Sequence, residues 1–137
     1  MKKRSRMVTG LFVIVVLLFI WVYHLAEIKA LERSLRKQAD ALMKQYASPE
    51  NGLSENHVSL EVNAGKTLPI LGQGRGKISV FTRTETPSGE KVYRTIEYFY
   101  AYEDGQWRMT ESGGCSGPAC QIRAEKAFRE DAQIPIN

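Results

Sequence analysis

Two cysteines near the end of the chain are the residues whose types and spacing point most directly to chemistry. Cys115 and Cys120 are the only cysteines of the 137 residues and stand in the segment GGCSGPAC, whose glycines and proline predict a turn into a helix. Such a pair can exchange disulfides, bind a metal or form a structural disulfide. Redox motifs of the thioredoxin type place two residues between the cysteines and lie beside a βαβ pattern, whereas four residues separate this pair. The spacing therefore favours a structural disulfide, with a thiol-redox site as the alternative.

Metal binding would need further ligands, and the two histidines, His24 and His57, are the nearest candidates by type. A structural zinc site takes four ligands, usually as two close pairs, and the sequence contains a single cysteine pair. The haem-attachment motif CxxCH is also missing. We therefore expect no metal ion and no cofactor.

Two further features could support acid–base chemistry or anion binding. Glu61 and Glu97 lie on predicted strands and could be general bases if buried, but no nucleophile or oxyanion donor accompanies them. The segment GQGRGK at residues 72–77 lacks the following helix and the Lys-Ser/Thr ending of a phosphate loop. We interpret it as a flexible connector from which Arg75 and Lys77 could contact a lipid headgroup or an acidic partner. We expect no enzyme activity.

The elements that carry these residues begin with an apolar segment near the N-terminus. Residues 8–25, VTGLFVIVVLLFIWVYHL, contain no charged side chain and follow the basic tail MKKRSRM of residues 1–7. Eighteen residues at about 1.5 Å each span roughly 27 Å, close to the hydrocarbon thickness of a bilayer. A cleaved signal peptide starts similarly, but the nearest cleavage site, ending at Ala30, is a poor match. We therefore predict an uncleaved transmembrane helix.

The distribution of charge indicates an orientation and excludes one class of partner. The four basic residues of the tail indicate a cytoplasmic N-terminus, although four more follow the span within residues 29–37. Beyond the tail the chain has fifteen basic and fifteen acidic residues, so the footprint of a nucleic-acid-binding protein is missing. A disulfide would persist only outside the reducing cytosol. We therefore place residues 26–137 in the periplasm, as a domain anchored in a bacterial-type inner membrane.

A second helical pattern follows the span at residues 26–46, from Ala26 to Tyr46, without Pro or Gly. Its apolar side chains recur every three or four residues, at Ile28, Leu31, Leu35, Ala39, Leu42 and Tyr46. This period of 3.6 is typical of a helix with one buried stripe. A coiled coil would need apolar residues where Gln38 and Gln45 stand. We predict a helix that continues from the span and packs on the protein's own sheet, with homo-oligomerisation through this helix as the alternative.

The remaining sequence predicts an antiparallel sheet. Strands are expected at residues 57–63, 77–85, 91–102 and 106–111. Asp104 and Gly105 are a hairpin signal, and Pro69 demotes residues 67–71 to an edge strand or loop. Pro118 begins a final helix at residues 118–131. The predicted fold is α+β: a transmembrane helix, a long amphipathic helix over one face of a three- or four-stranded antiparallel sheet, and a short C-terminal helix.

The third predicted strand, KVYRTIEYFYAY, is unusually aromatic. Because side chains alternate along a strand, Tyr98, Tyr100 and Tyr102 share one face and Tyr93 lies on the other. Both faces are partly apolar, which predicts a central strand. The tyrosines either line the core under the helix or, together with Trp107 of the next strand, form a surface for a partner or ligand.

The segment YAYEDGQWRM at residues 100–109 resembles the closing hairpin of many proteins of the cystatin-like cone superfamily, also called nuclear-transport-factor-like. Members begin with a long helix that crosses a curved antiparallel sheet, so the resemblance covers residues 26–111. The superfamily includes isomerases, ligand-binding cups and assembly modules, and the resemblance therefore implies a fold without a function. In layout the chain is similar to inner-membrane components of type IV secretion machines, which act as scaffolds.

Together these features predict a non-enzymatic accessory or assembly subunit of a membrane protein complex. A single span would anchor the protein in the membrane, and other subunits of the complex would be its partners. Nucleic acid is not expected to be a partner. One alternative is a periplasmic module that binds an apolar or lipid-like molecule on its sheet. The other is a thiol-redox protein that uses Cys115 and Cys120.

Overall fold

The computed structural model describes residues 2–48, 57–69 and 71–131. The elements, in chain order, are α1 (Lys2–Tyr46), β1 (Val58–Lys66), β2 (Gly74–Glu85), β3 (Lys91–Glu103), β4 (Gln106–Cys115) and α2 (Pro118–Asp131). The strands pair antiparallel in the order β1-β2-β3-β4, which makes β3 an inner strand. The predicted α+β class is confirmed, with a long N-terminal helix, an open antiparallel sheet and a short C-terminal helix.

Helix α1 joins the apolar segment to the amphipathic segment without a break. Every side chain of residues 2–23 is exposed, although most of them are apolar. This part of α1 is long and apolar enough to cross a membrane, and no part of it is buried in the protein. A helix with an apolar surface on all sides needs lipid around it or protein against it. α1 therefore provides a single candidate membrane span that continues directly into the folded domain.

The far half of α1 packs on the sheet and closes the main core. Leu35 and Ala39 of the helix are buried against Val58, Ile78 and Val80 of β1 and β2. Successive side chains of a strand point to opposite faces of the sheet, and the pairing of β1 with β2 keeps the faces of the two strands in line. Val58, Ile78 and Val80 therefore lie on the same face. The predicted helical stripe thus faces the protein's own sheet.

Helix α2 covers the opposite face of the sheet, which corrects the expectation of one covered face. Phe81 is fully buried on this face, and the guanidinium of Arg123 lies 5.9 Å from the centre of its ring. The rings of Tyr93 and Phe128 also meet there, with 5.9 Å between their centres, and Ala124 is fully buried. This second face also carries large aromatic side chains, whose apolar surface must be buried from water just as the apolar surface of the first face is.

The glycine-rich segment between β1 and β2 is partly strand, which corrects its interpretation as a connector. β2 already begins at Gly74, and Gly76 pairs with Ala64 on one side and Tyr100 on the other. A Cβ atom at Gly76 would lie 2.4 Å from Leu35 Cδ2. Glycine is needed here because α1 approaches the sheet backbone too closely for a side chain.

The turns follow the local sequence with one exception. Asp104 and Gly105 both have positive φ, 51° and 76°, as a tight two-residue hairpin requires. Gly113 and Gly114 do not begin the turn into α2, because β4 continues through both of them to Cys115. The chain turns instead at Gly117, whose φ is +106°. Around Pro69, the described residues of the 67–71 segment form a loop.

Candidate functional site

The aromatic side chains of β3 and β4 gather on the α1 side of the sheet, where Tyr98, Tyr100 and Trp107 pack against the margin of the core that α1 closes. Tyr98, Tyr100, Tyr102 and Trp107 lie on this face and are all half-buried, and we call them the aromatic flank. Tyr102 and Trp107 pair directly across the strands, with ring centres 5.1 Å apart in an edge-to-face arrangement. Met109, opposite Tyr100, extends this surface and is 54% exposed. The flank thus offers both apolar surface and polar ring edges.

Two contacts fix the inner edge of the aromatic flank. The hydroxyls of Tyr46, at the end of α1, and Tyr98 hydrogen-bond to each other. The indole of Trp107 approaches the backbone at Gly76, where a Cβ would lie 3.2 Å from Cζ3. Ordered aromatic side chains lose little conformational entropy when a partner binds, so a fixed flank suits recognition.

Burial and the neighbouring Tyr98 raise the pKa of two phenols at the flank, those of Tyr46 and Tyr100. Burial is the main cause that raises the pKa of Tyr46 well above its usual range, followed by the hydrogen bond and the electrostatic repulsion from Tyr98. Burial and then repulsion from Tyr98 also raise the pKa of Tyr100. Neutral phenols are hydrogen-bonding groups rather than bases or nucleophiles at ordinary pH. The flank is therefore better suited to packing and hydrogen bonding than to proton transfer.

Strand β4 is the exposed outer edge of the sheet next to the flank. Within the described part of the chain, no strand pairs with its outer side. All its residues are exposed except Trp107 and Cys115, which are half-buried. An edge strand of ten residues presents a row of backbone donors and acceptors that another strand can pair with.

Tyr93 does not belong to this surface. As the alternation along β3 predicts, it lies on the α2 side, where it packs against Phe128. Arg83 lies over the same Phe128 ring, 5.1 Å from its centre. Of the five aromatic residues singled out from the sequence, the structure thus brings four together and places Tyr93 in the packing under α2.

The disulfide between Cys115 and Cys120 joins the end of β4 to the first turn of α2. Both cysteines are half-buried. A cleft of about 610 Å³ lies beside the disulfide, where β4 ends and, among the described strands, none pairs with the first residues of β3 on that side. It is lined by Tyr93, Arg94, Thr95, Ile96, Gly114, Cys115, Ser116, Gly117, Pro118, Cys120 and Gln121.

The two carboxylates considered as general bases are held in an ion-pair cluster under α2. Arg123 Nη1 lies 3.2 Å from Glu97 Oε1, and its Nη2 lies 3.8 Å from Glu61 Oε2. Lys77 Nζ also donates to Glu97 Oε1 over 3.3 Å. Burial by itself raises the pKa of Glu97, but the hydrogen bonds and charges of Arg123 and Lys77 outweigh it and hold that pKa below its usual value. A carboxylate with a lowered pKa is a weak base, so the cluster's evident effect is to fasten α2 to the sheet.

The potential metal ligands are dispersed over the described part of the chain. Across residues 2–48, 57–69 and 71–131, no three His, Cys, Asp or Glu side chains come together in a group that could hold a metal ion. The cysteines are joined to each other, and Glu61 and Glu97 face basic side chains.

The sequence identified the aromatic residues of the site but not its boundaries. Met109 and the open edge of β4 were missed, because exposure depends on which strands the helices cover. The segment Ser112-Gly113-Gly114 carried a usable signal, since small residues at the end of a strand indicate that nothing packs on it.

Comparison of the chain with protein-family models, with curated proteins and with solved structures gave no match. The resemblance to the cystatin-like cone superfamily therefore stays a prediction, and the site is interpreted from its own geometry.

Proposed function

We propose that this protein is a non-enzymatic accessory or assembly subunit of a membrane protein complex. Its N-terminus would be cytoplasmic, and its folded domain would lie in the periplasm of a bacterial-type cell. The candidate span supports the anchor, and the disulfide supports a compartment more oxidising than the cytosol. The basic tail supports the orientation.

The observation that carries the proposal is the aromatic flank beside the open edge of β4. A partner subunit could add an extended segment to β4 through backbone hydrogen bonds and place apolar side chains on the flank. Tyrosine and tryptophan are enriched among the side chains that contribute most to such interfaces. Met109 would lie inside this contact, whereas the exposed Ile122 of α2 would lie outside it.

The test uses these two exposed apolar residues as a matched pair. A photo-crosslinking amino acid is placed at position 109 or 122 of the full chain, and the chain is irradiated in the membranes of the cells that make it. We expect a discrete adduct with one membrane protein from position 109 and none from position 122. Equal adducts from both positions, or none from position 109, would contradict a partner on β4.

Substitution then checks whether the captured protein depends on this surface. Met109→Asp should reduce the co-purifying partner by about tenfold or more, since an unpaired charge in an apolar contact costs more than the ~1.4 kcal/mol of one decade in affinity. Ile122→Asp should leave co-purification unchanged. If the two variants behave alike, the flank is not the binding surface.

The second candidate function is the binding of a small apolar or lipid-like ligand, and the cleft beside the disulfide is the observation that favours it. Its volume of about 610 Å³ lies in the range of small-molecule sites. Gly114 lines the cleft and a Cβ there would meet nothing within 4 Å, so Gly114→Phe is the variant designed to fill it, and Gly113→Phe is its control outside the lining. Native mass spectrometry of the full chain should then detect a retained molecule that Gly114→Phe alone removes. A protein that carries no molecule would end this candidate.

A further inference from the structure

Two leucines project from the loop between β1 and β2. Leu68 is 59% exposed and Leu71 is 88% exposed. The backbone around them is a tight turn, because Gly72 N–H donates to the Leu68 carbonyl over 3.1 Å and Leu71 N–H donates to that of Pro69 over 2.7 Å. A Cβ at Gly72 would lie 2.5 Å from Leu68 N, so the turn needs glycine there. The two exposed leucines thus lie on a turn that these two backbone hydrogen bonds close.

This loop lies at the end of the domain that faces the membrane span. Lys66, the last residue of β1, forms an ion pair with Glu27 of α1, with 3.1 Å between Nζ and Oε1. Glu27 follows the end of the apolar segment at Leu25 by two residues, or about 3 Å along the helix axis. On the neighbouring strand, a Cβ at Gly74 would lie 3.1 Å from Leu31 Cδ1. Both strand ends therefore lie beside the first helical turns after the span.

The direction of β1 carries the loop further toward the span. β1 begins at Val58, which packs in the core with Leu35 and Ala39, and it ends at Lys66 beside Glu27. The chain thus runs along α1 toward its N-terminal half. Extended residues advance about 3.3 Å each, so Leu68 can lie up to roughly 7 Å beyond Lys66.

The burial of α1 itself shows how far the domain reaches along the helix. Residues 2–23 are exposed, whereas His24 is half-buried and its Nδ1 atom is enclosed. His24 belongs to the last turn of the apolar segment. The ion pair of Glu27 with Lys66 therefore places the folded domain within one helical turn of the end of the apolar segment.

We propose that the β1–β2 loop is a second membrane contact, with Leu68 and Leu71 inserted at the boundary between the headgroups and acyl chains of the lipid bilayer. The two exposed apolar side chains would then be covered by the same lipid that surrounds the span. Lys29 and Arg75 are exposed near this end of the domain and can meet lipid phosphates. Lipid is favoured over protein as the occupant because the loop lies at the level of the membrane surface.

The contact is confined to the corner of the domain nearest α1. The neighbouring turn at Asp104 and Gly105 is acidic and exposed, and Gln73 of the β1–β2 loop donates to Glu103, at the end of β3, over 2.8 Å. An acidic turn is repelled by anionic headgroups. Lipid insertion at the leucines would therefore fix the tilt of the domain, with the β1–β2 corner in the bilayer surface and the β3–β4 turn in water.

The experiment measures the depth of single labelled sites in the full chain. Leu71→Cys and Ser88→Cys are each labelled with an environment-sensitive fluorophore, since Cys115 and Cys120 are joined and do not react. Ser88 lies in the exposed β2–β3 turn at the other end of the sheet and is the control. The proteins are reconstituted in vesicles of phosphatidylcholine and phosphatidylglycerol in equal parts. Quenching is measured with nitroxide-labelled acyl chains and with iodide in water.

We expect a label at position 71 to be quenched several-fold more by the nitroxide lipid, and several-fold less by iodide, than a label at position 88. Equal quenching at both positions would overturn the loop contact, and so would a site shielded from iodide but untouched by the nitroxide lipid, because protein would then cover it. In a separate Leu17→Cys variant, a label at position 17 reports whether the span itself lies within the bilayer. The loop contact depends on the span and not on a partner at β4, so its failure with a buried Leu17 label leaves the proposed function standing.

Discussion

The two halves of the sheet differ in what covers them. In the half formed by β1 and β2, the core side chains Ile78, Val80 and Phe81 are fully buried between α1 and α2. In the half that ends with β4, the aromatic flank is half-exposed and the outer strand is almost entirely exposed. The same antiparallel pairing continues through both halves. We therefore expect the covered half to supply most of the stability, and the open half is where the proposed partner would bind without unfolding the domain.

The largest expected effect is on the covered half. Leu35→Ala removes a fully buried side chain between α1 and the sheet, and we expect it to lower the free energy of unfolding by about 2–5 kcal/mol. Met109→Ala, in the open half, should change it by less than about 0.5 kcal/mol. Chemical denaturation of the detergent-solubilised protein, followed by tryptophan fluorescence, measures both. Comparable losses would show that β4 is covered as well as β2.

Loss of the disulfide should have the next largest effect on the free energy of unfolding. The local structure should loosen at the open edge of the sheet. Replacing Cys115 and Cys120 with serine opens a small loop, which in the chain-entropy model costs roughly 2 kcal/mol. The freed elements are the end of β4 and the start of α2. Hydrogen exchange should therefore rise most there, and around Ile78 it should rise by no more than the loss of global stability allows. Full stability with loss of an activity would instead support the thiol-redox alternative.

Glycine substitutions compare the halves with the same added methyl group. Gly76→Ala forces a Cβ to within 2.4 Å of Leu35 Cδ2, and overpacking a tight site costs about 1–3 kcal/mol. Gly113→Ala meets nothing within 4 Å, so it should be neutral or slightly stabilising. The thermal unfolding of both variants measures the two changes in stability. A neutral Gly76→Ala would mean that α1 can move away from the sheet.

The smallest expected effect concerns pH and the ion-pair cluster under α2. Because the pKa of Glu97 is lowered in the folded state, its contribution to stability is complete above the pKa of an unfolded glutamate and is lost as the pH falls through the lowered folded pKa. At neutral pH, Glu97→Gln should therefore cost no more than about 1 kcal/mol, and this difference should vanish in acid. Glu111→Gln, on exposed β4, is the control. A pH-independent difference would point to packing rather than charge.

Local patterns in the sequence were sufficient for most of the fold. The 3.6-residue period of the α1 stripe, the alternation in β3 and the turn at Asp104 and Gly105 all correspond to elements of the structure. The glycine-rich segments were harder to assign. Gly76 and Gly113 both belong to strands, yet glycine has a low strand propensity and gives no periodic signal.

The candidate site was predicted less completely than the fold. Tyr98 and Trp107 were identified by type, and the separation of Tyr93 follows from alternation alone. The pairing of Arg123 with Glu97 and Glu61 had no signal in the sequence, because these residues come from three separate elements.

By itself, the sequence determined the properties that depend on neighbours along the chain: an apolar span, an amphipathic helix, strands with turns between them, and a cysteine pair in a short loop. The tertiary structure decided which surfaces remain open. Packing between distant elements explains three features: α2 covers the second face, Gly76 must lack a side chain, and β4 is left exposed. Burial is a property of the three-dimensional arrangement, since the same strand pattern is compatible with one covered face or two.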